Sequence, residues 1–93
     1  MDSEDKDAIH IKLVVPNPIE DSVVSDITEN LQKVHSDTTL TSITQTEDNR
    51  STLFFYCPSS DPDVRDKFVD LFKEWLDTRT VRITNYNVIR GRL

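Results

Sequence analysis

Apolar residues along this chain recur first at every second position and then at helical spacing, and the rhythm switches back and forth to the end. In IHIKLVVP, Ile9, Ile11, Leu13 and Val15 alternate with His10, Lys12 and Val14, the pattern of a strand with one buried face. Pro16 closes it. The segment NPIEDSVVSDITENLQKVH then places Ile19, Val23, Val24, Ile27, Leu31 and Val34 on one helical stripe, with acids and amides opposite. Asn17 is expected to cap this helix, Pro18 to occupy its first position and Glu20 to complete a capping box. The helix should end near His35, where an imidazolium suits the negative end of the dipole.

TTLTSITQT, residues 38–46, is rich in Thr but thin in apolar residues, with Leu40 and Ile43 on opposite parities. That predicts an edge strand with a bulge. EDNR supplies turn chemistry, and STLFFYC follows as a far more hydrophobic strand, so residues 39–57 read as a hairpin with a loop of four or five residues. SSDPDVRDKFVDLFKEWLDT repeats the helix grammar. Asp61 or Ser60 caps it, Pro62 enters the first turn, and Val64, Phe68, Leu71, Phe72, Trp75 and Leu76 form a wide stripe. TVRITNYNVI, residues 80–89, alternates well enough for a last strand, with a polar tail at 91–93.

The order strand, helix, strand, strand, helix, strand predicts an α+β fold of the ferredoxin-like, split βαβ kind. Both helices then lie on one face of a four-stranded antiparallel sheet, with the first and third strands at its centre. One domain over residues 8–90 is expected, because 93 residues suffice for a single modest core. The start, MDSEDKD, holds nothing apolar to bury and reads as a disordered acidic lead-in over residues 1–7.

If the helices cover one face, alternation assigns Ile9, Ile11, Leu13, Val15, Leu53, Phe55, Cys57, Val81 and Ile83 to the core. The uncovered face then receives His10, Lys12 and Val14 from the first strand and Phe54 and Tyr56 from the third. The last strand adds Arg82, Thr84, Tyr86 and Val88. Phe54 and Tyr56 should lie beside Val14, making a contiguous patch in a chain with only seven aromatic residues. Tyr and Arg are enriched at the energetic centres of interfaces. The face is therefore a partner-binding surface by expectation, centred on Phe54, Tyr56, Val14, Lys12, His10, Arg82 and Tyr86.

Charge sharpens this picture. The chain carries 17 acidic and 11 basic residues, net −6, which repels nucleic acid and anionic lipid. The balance is uneven: residues 1–78 hold seven basic and 17 acidic groups, giving −10, whereas four Arg and no acid follow from Arg79 onward, giving +4. Arg79, Arg90 and Arg92 with Arg82 define a basic edge suited to acidic partners. The lone Cys57 forms no internal disulfide, and no signal peptide or long apolar run is evident. A cytoplasmic or nuclear location without membrane attachment is expected.

Candidate chemistry is sparse. His10, His35 and Cys57 fall on separate elements without zinc-site spacing, so no metal or other cofactor is expected. Two histidines support no catalytic triad, and the single Gly91 makes no phosphate loop. An acylphosphatase-type site on this topology would need an Arg and aimed backbone amides after the first strand. Here the loop is PNP, with Asn17 but no Arg and no glycine. Aromatics on central strands are also how the RNA recognition motif stacks bases. RSTLFFYC has Arg50 and Phe54 in step with that motif but Ser51, Thr52, Leu53 and Cys57 at its other diagnostic places. The expectation is a non-catalytic protein-interaction or assembly subunit, whose partner is another protein or a second copy. The alternatives are a single-stranded nucleic-acid module and a ligand-sensing homodimer.

Overall fold

The computed structural model describes residues 8–46, 48–59 and 61–91. Six elements follow one another: β1 (Ala8–Pro16), α1 (Asp21–Val34), β2 (Thr39–Thr46), β3 (Arg50–Cys57), α2 (Pro62–Thr78) and β4 (Asn85–Gly91). The strands form one open sheet in the order β2-β3-β1-β4, and every neighbouring pair is antiparallel. The fold is α+β, with β1 and β3 at the centre as the order of elements predicts. Residues 1–7 and the end of the tail, Arg92 and Leu93, lie outside the described residues. Gly91 belongs to β4.

The register fixes the two faces. Ile9, Ile11, Leu13 and Val15 of β1 stand opposite Cys57, Phe55, Leu53 and Ser51 of β3, and all eight are buried. Ile27 and Leu31 of α1 and Phe68, Phe72 and Trp75 of α2 join the same core cluster, so both helices cover this one face. Along α2 the rings of Phe68 and Phe72 stack at 6.3 Å, and Trp75 tilts against Phe72 at 5.4 Å. Leu76 is 41% exposed and leaves the stripe to which its spacing assigned it.

β2 is an edge strand with a bulge between Leu40 and Ser42. The extra residue, Thr41, donates its hydroxyl to the Phe54 carbonyl at 3.0 Å. Skipping one position brings Leu40 and Ile43 onto the same face, opposite Phe55 and Leu53, which is how two apolar residues of opposite parity both reach the core side. Thr46 pairs with Arg50, so the hairpin loop is three residues long, one or two shorter than the sequence suggests. Asn49 takes the left-handed conformation at φ 65°, which Asn tolerates better than most residues.

The two helices start differently. Asp61 caps α2 by accepting from the Asp63 N–H at 2.9 Å, with Pro62 in the first turn. The capping box expected for α1 does not form. Its first helical residue is Asp21, and Glu20 precedes it without a side-chain bond. Asn17 is committed elsewhere: its carboxamide oxygen accepts from the Ser51 hydroxyl at 2.6 Å and its N–H donates to the Asn49 carbonyl at 3.0 Å. The cap residue thus serves as a strap between the β1–α1 loop and the β2–β3 turn. The Asn17–Pro18 peptide bond is cis.

The last strand differs most from expectation. It starts at Asn85 rather than residue 80, and residues 79–84 form an irregular linker in which Ile83 is buried and Val81 partly so. Thr84 donates its N–H and its hydroxyl to the Val14 carbonyl, at 2.7 and 3.2 Å, while Asn85 is the register partner of the same Val14. Two residues therefore meet one, and the parity set by Val81 and Ile83 is lost. Tyr86 and Val88 turn to the core, opposite Leu13 and Ile11, and Asn87 and Ile89 take the open face.

Candidate partner-binding face

The open face can now be assembled from the register. β1 contributes His10, Lys12 and Val14, and β3 contributes Thr52, Phe54 and Tyr56 directly opposite Val14, Lys12 and His10. β4 adds Asn85, Asn87 and Ile89 on the other flank of β1. β2 adds Thr39, Ser42, Thr44 and Thr46. A shallow concavity of about 500 Å³ lies over the middle, lined by His10, Lys12, Phe54, Tyr56, Asn87 and Ile89 with Thr41 and Ser42 at its side. The His10 and Tyr56 rings meet edge-on, with centroids 5.6 Å apart and planes at 60°.

Five of the residues anticipated for this surface are therefore on it: His10, Lys12, Val14, Phe54 and Tyr56. Two are not. Tyr86 packs against the Phe72 ring at 5.6 Å on the opposite side of the sheet, and Val88 joins the core with it. Arg82 lies in the 79–84 linker, beside hollows at the end of the sheet. Ile89, 40% exposed, and Asn87 take their place. The sequence does hold a signal for this exchange, since polar Asn85 and Asn87 alternate with apolar Tyr86 and Val88; carrying the parity of Ile83 forward across Thr84 concealed it.

The face has a charge character distinct from the molecule. None of its strand positions holds a carboxylate, and Lys12 is exposed at its centre. The described acids lie on the helices, their flanks and the turns. At the rim, Asp48 pairs with Arg50 at 3.2 Å and accepts from the Thr46 hydroxyl. The Thr46 bond, with Arg50 assisting, holds the Asp48 carboxyl below its ordinary value. An acidic chain thus presents an acid-free, partly aromatic sheet surface.

Residues that might carry chemistry are placed elsewhere. Cys57 is fully buried on the core side, and burial pushes its thiol up, an effect the neighbouring Thr38 hydroxyl partly offsets. A thiol so placed behaves as a small hydrophobe. His35 ends α1, its backbone N–H donating to the Leu31 carbonyl at 3.1 Å while its Nδ1 accepts from the Asp37 N–H at 3.2 Å. Among the described residues no group of three potential metal ligands comes together. Of the basic edge, Arg79 ends α2 in the left-handed conformation with its N–H donating to the Trp75 carbonyl at 2.8 Å. Arg90 is exposed near the end of β4, and Arg92 is outside the described residues.

Among the described residues no helix is long and apolar enough to cross a membrane. Comparison with protein-family models, with characterised proteins and with solved structures finds no match.

Proposed function

We propose that this chain is a non-catalytic binding domain of an intracellular complex, whose open sheet face holds a protein partner around Phe54 and Tyr56. We further read its topology as ferredoxin-like, a reading supported by the all-antiparallel order β2-β3-β1-β4 and by the shared helix-bearing face. One observation carries the function: Phe54, Tyr56 and Ile89 surround Lys12 and His10 in one contiguous concavity that holds no carboxylate among the described residues. A partner presenting an apolar group and an acid would bury the first against the rings and pair the second with Lys12. Such a face on an acidic body also steers toward complementary surfaces.

A second reading, binding of single-stranded nucleic acid, draws support from the same acid-free aromatics, since base stacking needs exposed rings beside a cation. The net charge of −6 weighs against it. The test is affinity capture from native lysate with wild type and a Phe54→Ser, Tyr56→Ser variant, each with and without nuclease. The expected result is a protein partner that resists nuclease and is lost in the variant. Retention by the folded variant overturns the assignment to this face, and loss on nuclease treatment moves the function to nucleic acid.

A further inference from the structure

The two edges of the sheet differ in charge. From Ser36 to Asn49, around edge strand β2, there are three acids and no base; from Arg79 onward, around edge strand β4, there are four Arg and no acid. Each edge also carries an apolar side chain left exposed on the helix-bearing side. Ile43 faces that side from β2, as the partner of buried Leu53, yet is 44% exposed. Leu76, 41% exposed, borders a hollow with Trp75, Ile83 and Thr84 at the start of β4. It lies across α2 from Lys67 and Leu71, which face α1.

We infer that β4 of one molecule pairs with β2 of a second copy, so that the chain assembles head to tail through its edges. Strand polarity permits it. β1 is antiparallel to both β3 and β4, and β3 to β2, so β2 runs opposite to β4. A copy set alongside in the same orientation continues the antiparallel alternation across the junction. Straight across the sheet, Ile43, Leu53, Leu13 and Tyr86 form one row. Extending that row puts Tyr86 beside Ile43 of the second copy, with Leu76 flanking the pair. The same register brings Arg90 toward Asp37 of the second copy and Arg82 toward its Asp48, which also pairs with Arg50 of that copy.

Like-with-like alternatives are disfavoured by the same charges. Two β4 edges paired antiparallel about Tyr86 would set Arg82 against Arg90 of the other copy, and two β2 edges would oppose acids. A heterologous contact of this kind leaves a free edge at each end and propagates unless its rotation closes a ring. Strand twist of about 20–25° turns each four-stranded copy by roughly 80–100° relative to the last, which favours an open helical array. The open face stays uncovered throughout, so the inference is independent of the partner-binding reading.

Sedimentation velocity from micromolar to millimolar protein tests it. At low salt the mean mass should rise with concentration past that of a dimer, and raised salt should return it to the monomer. Arg82→Glu, Arg90→Glu reverses the basic side of both contacts, and Asp37→Lys, Asp48→Lys reverses the acidic side. Each variant alone should stay monomeric, and an equimolar mixture should recover the concentration-dependent mass. Phe54→Ser should leave assembly unchanged. A wild type that stays monomeric throughout, or stops at a dimer, overturns the inference. So does a mixture of folded variants that fails to recover, or loss of assembly in Phe54→Ser.

Discussion

His10 and Tyr56 face each other across the two central strands, ring edge to ring face at 5.6 Å, on the side of the sheet that neither helix covers. Their contact holds one wall of the concavity in place while Tyr56 remains 39% exposed. Changing Tyr56 to Ser, alone or with Phe54→Ser, should therefore cost little folding stability and much binding. The expected result is an unchanged far-UV spectrum, an unfolding free energy lowered by about 1 kcal/mol or less for Tyr56→Ser, and loss of the captured partner.

Tyr86 provides the contrast. Its ring lies 5.6 Å from Phe72 and is partly buried in the core, so Tyr86→Ser should destabilise by about 2 kcal/mol through lost burial and the cavity left behind. Urea titration measures this. A loss of partner binding with no loss of stability would return Tyr86 to the open face.

The two residues that suggest helix caps should behave as different devices. Asp61→Ala removes a cap bond and should cost about 1 kcal/mol. Asn17→Ala leaves the fully buried Ser51 without its acceptor and cuts the side-chain strap to β3, costing about 1–3 kcal/mol. Hydrogen exchange separates them: Asp61→Ala should speed exchange in the first turn of α2, and Asn17→Ala in the β2–β3 turn and the end of β1.

Arg79 holds a φ of 62° at the end of α2, a conformation glycine adopts without the steric cost of a Cβ. Arg79→Gly should raise stability by roughly 0.5–1 kcal/mol, read as a higher denaturant midpoint. A lower midpoint would mean that the arginine side chain contributes more than its backbone conformation costs.

Burial raises the pKa of Cys57 in the folded chain. A group whose folded pKa lies above its unfolded one supports folding below the unfolded value and loses that contribution as pH rises through the folded value. Stability should fall on the alkaline side, beyond the ordinary thiol range, and Cys57→Ala should flatten that slope while lowering stability at neutral pH. Iodoacetamide should label Cys57 slowly in the native protein and rapidly in denaturant.

Much of this was legible in the residues. Alternation from Ile9 to Val15 placed β1 and its buried face, the Asp61–Pro62 pair placed the start of α2, and the clash of parity between Leu40 and Ile43 marked the bulge. The site was legible where it rests on β1 and β3, because long unbroken alternation carries parity along a strand. It failed at β4, where Thr84 and Asn85 share Val14 as partner and every later side chain changes face.

The residues alone settle the order of helices and strands, which face of each central strand is apolar, and that positive charge gathers after Arg79. These properties follow from local spacing and composition, which no neighbour alters. Three features appear only once the chain is folded: Asn17 reaches Ser51 rather than the helix, Thr84 and Asn85 share Val14 as partner, and the acid-free surface is one concavity. Each of those depends on the register between strands distant in the chain, and register is set by packing across the whole sheet.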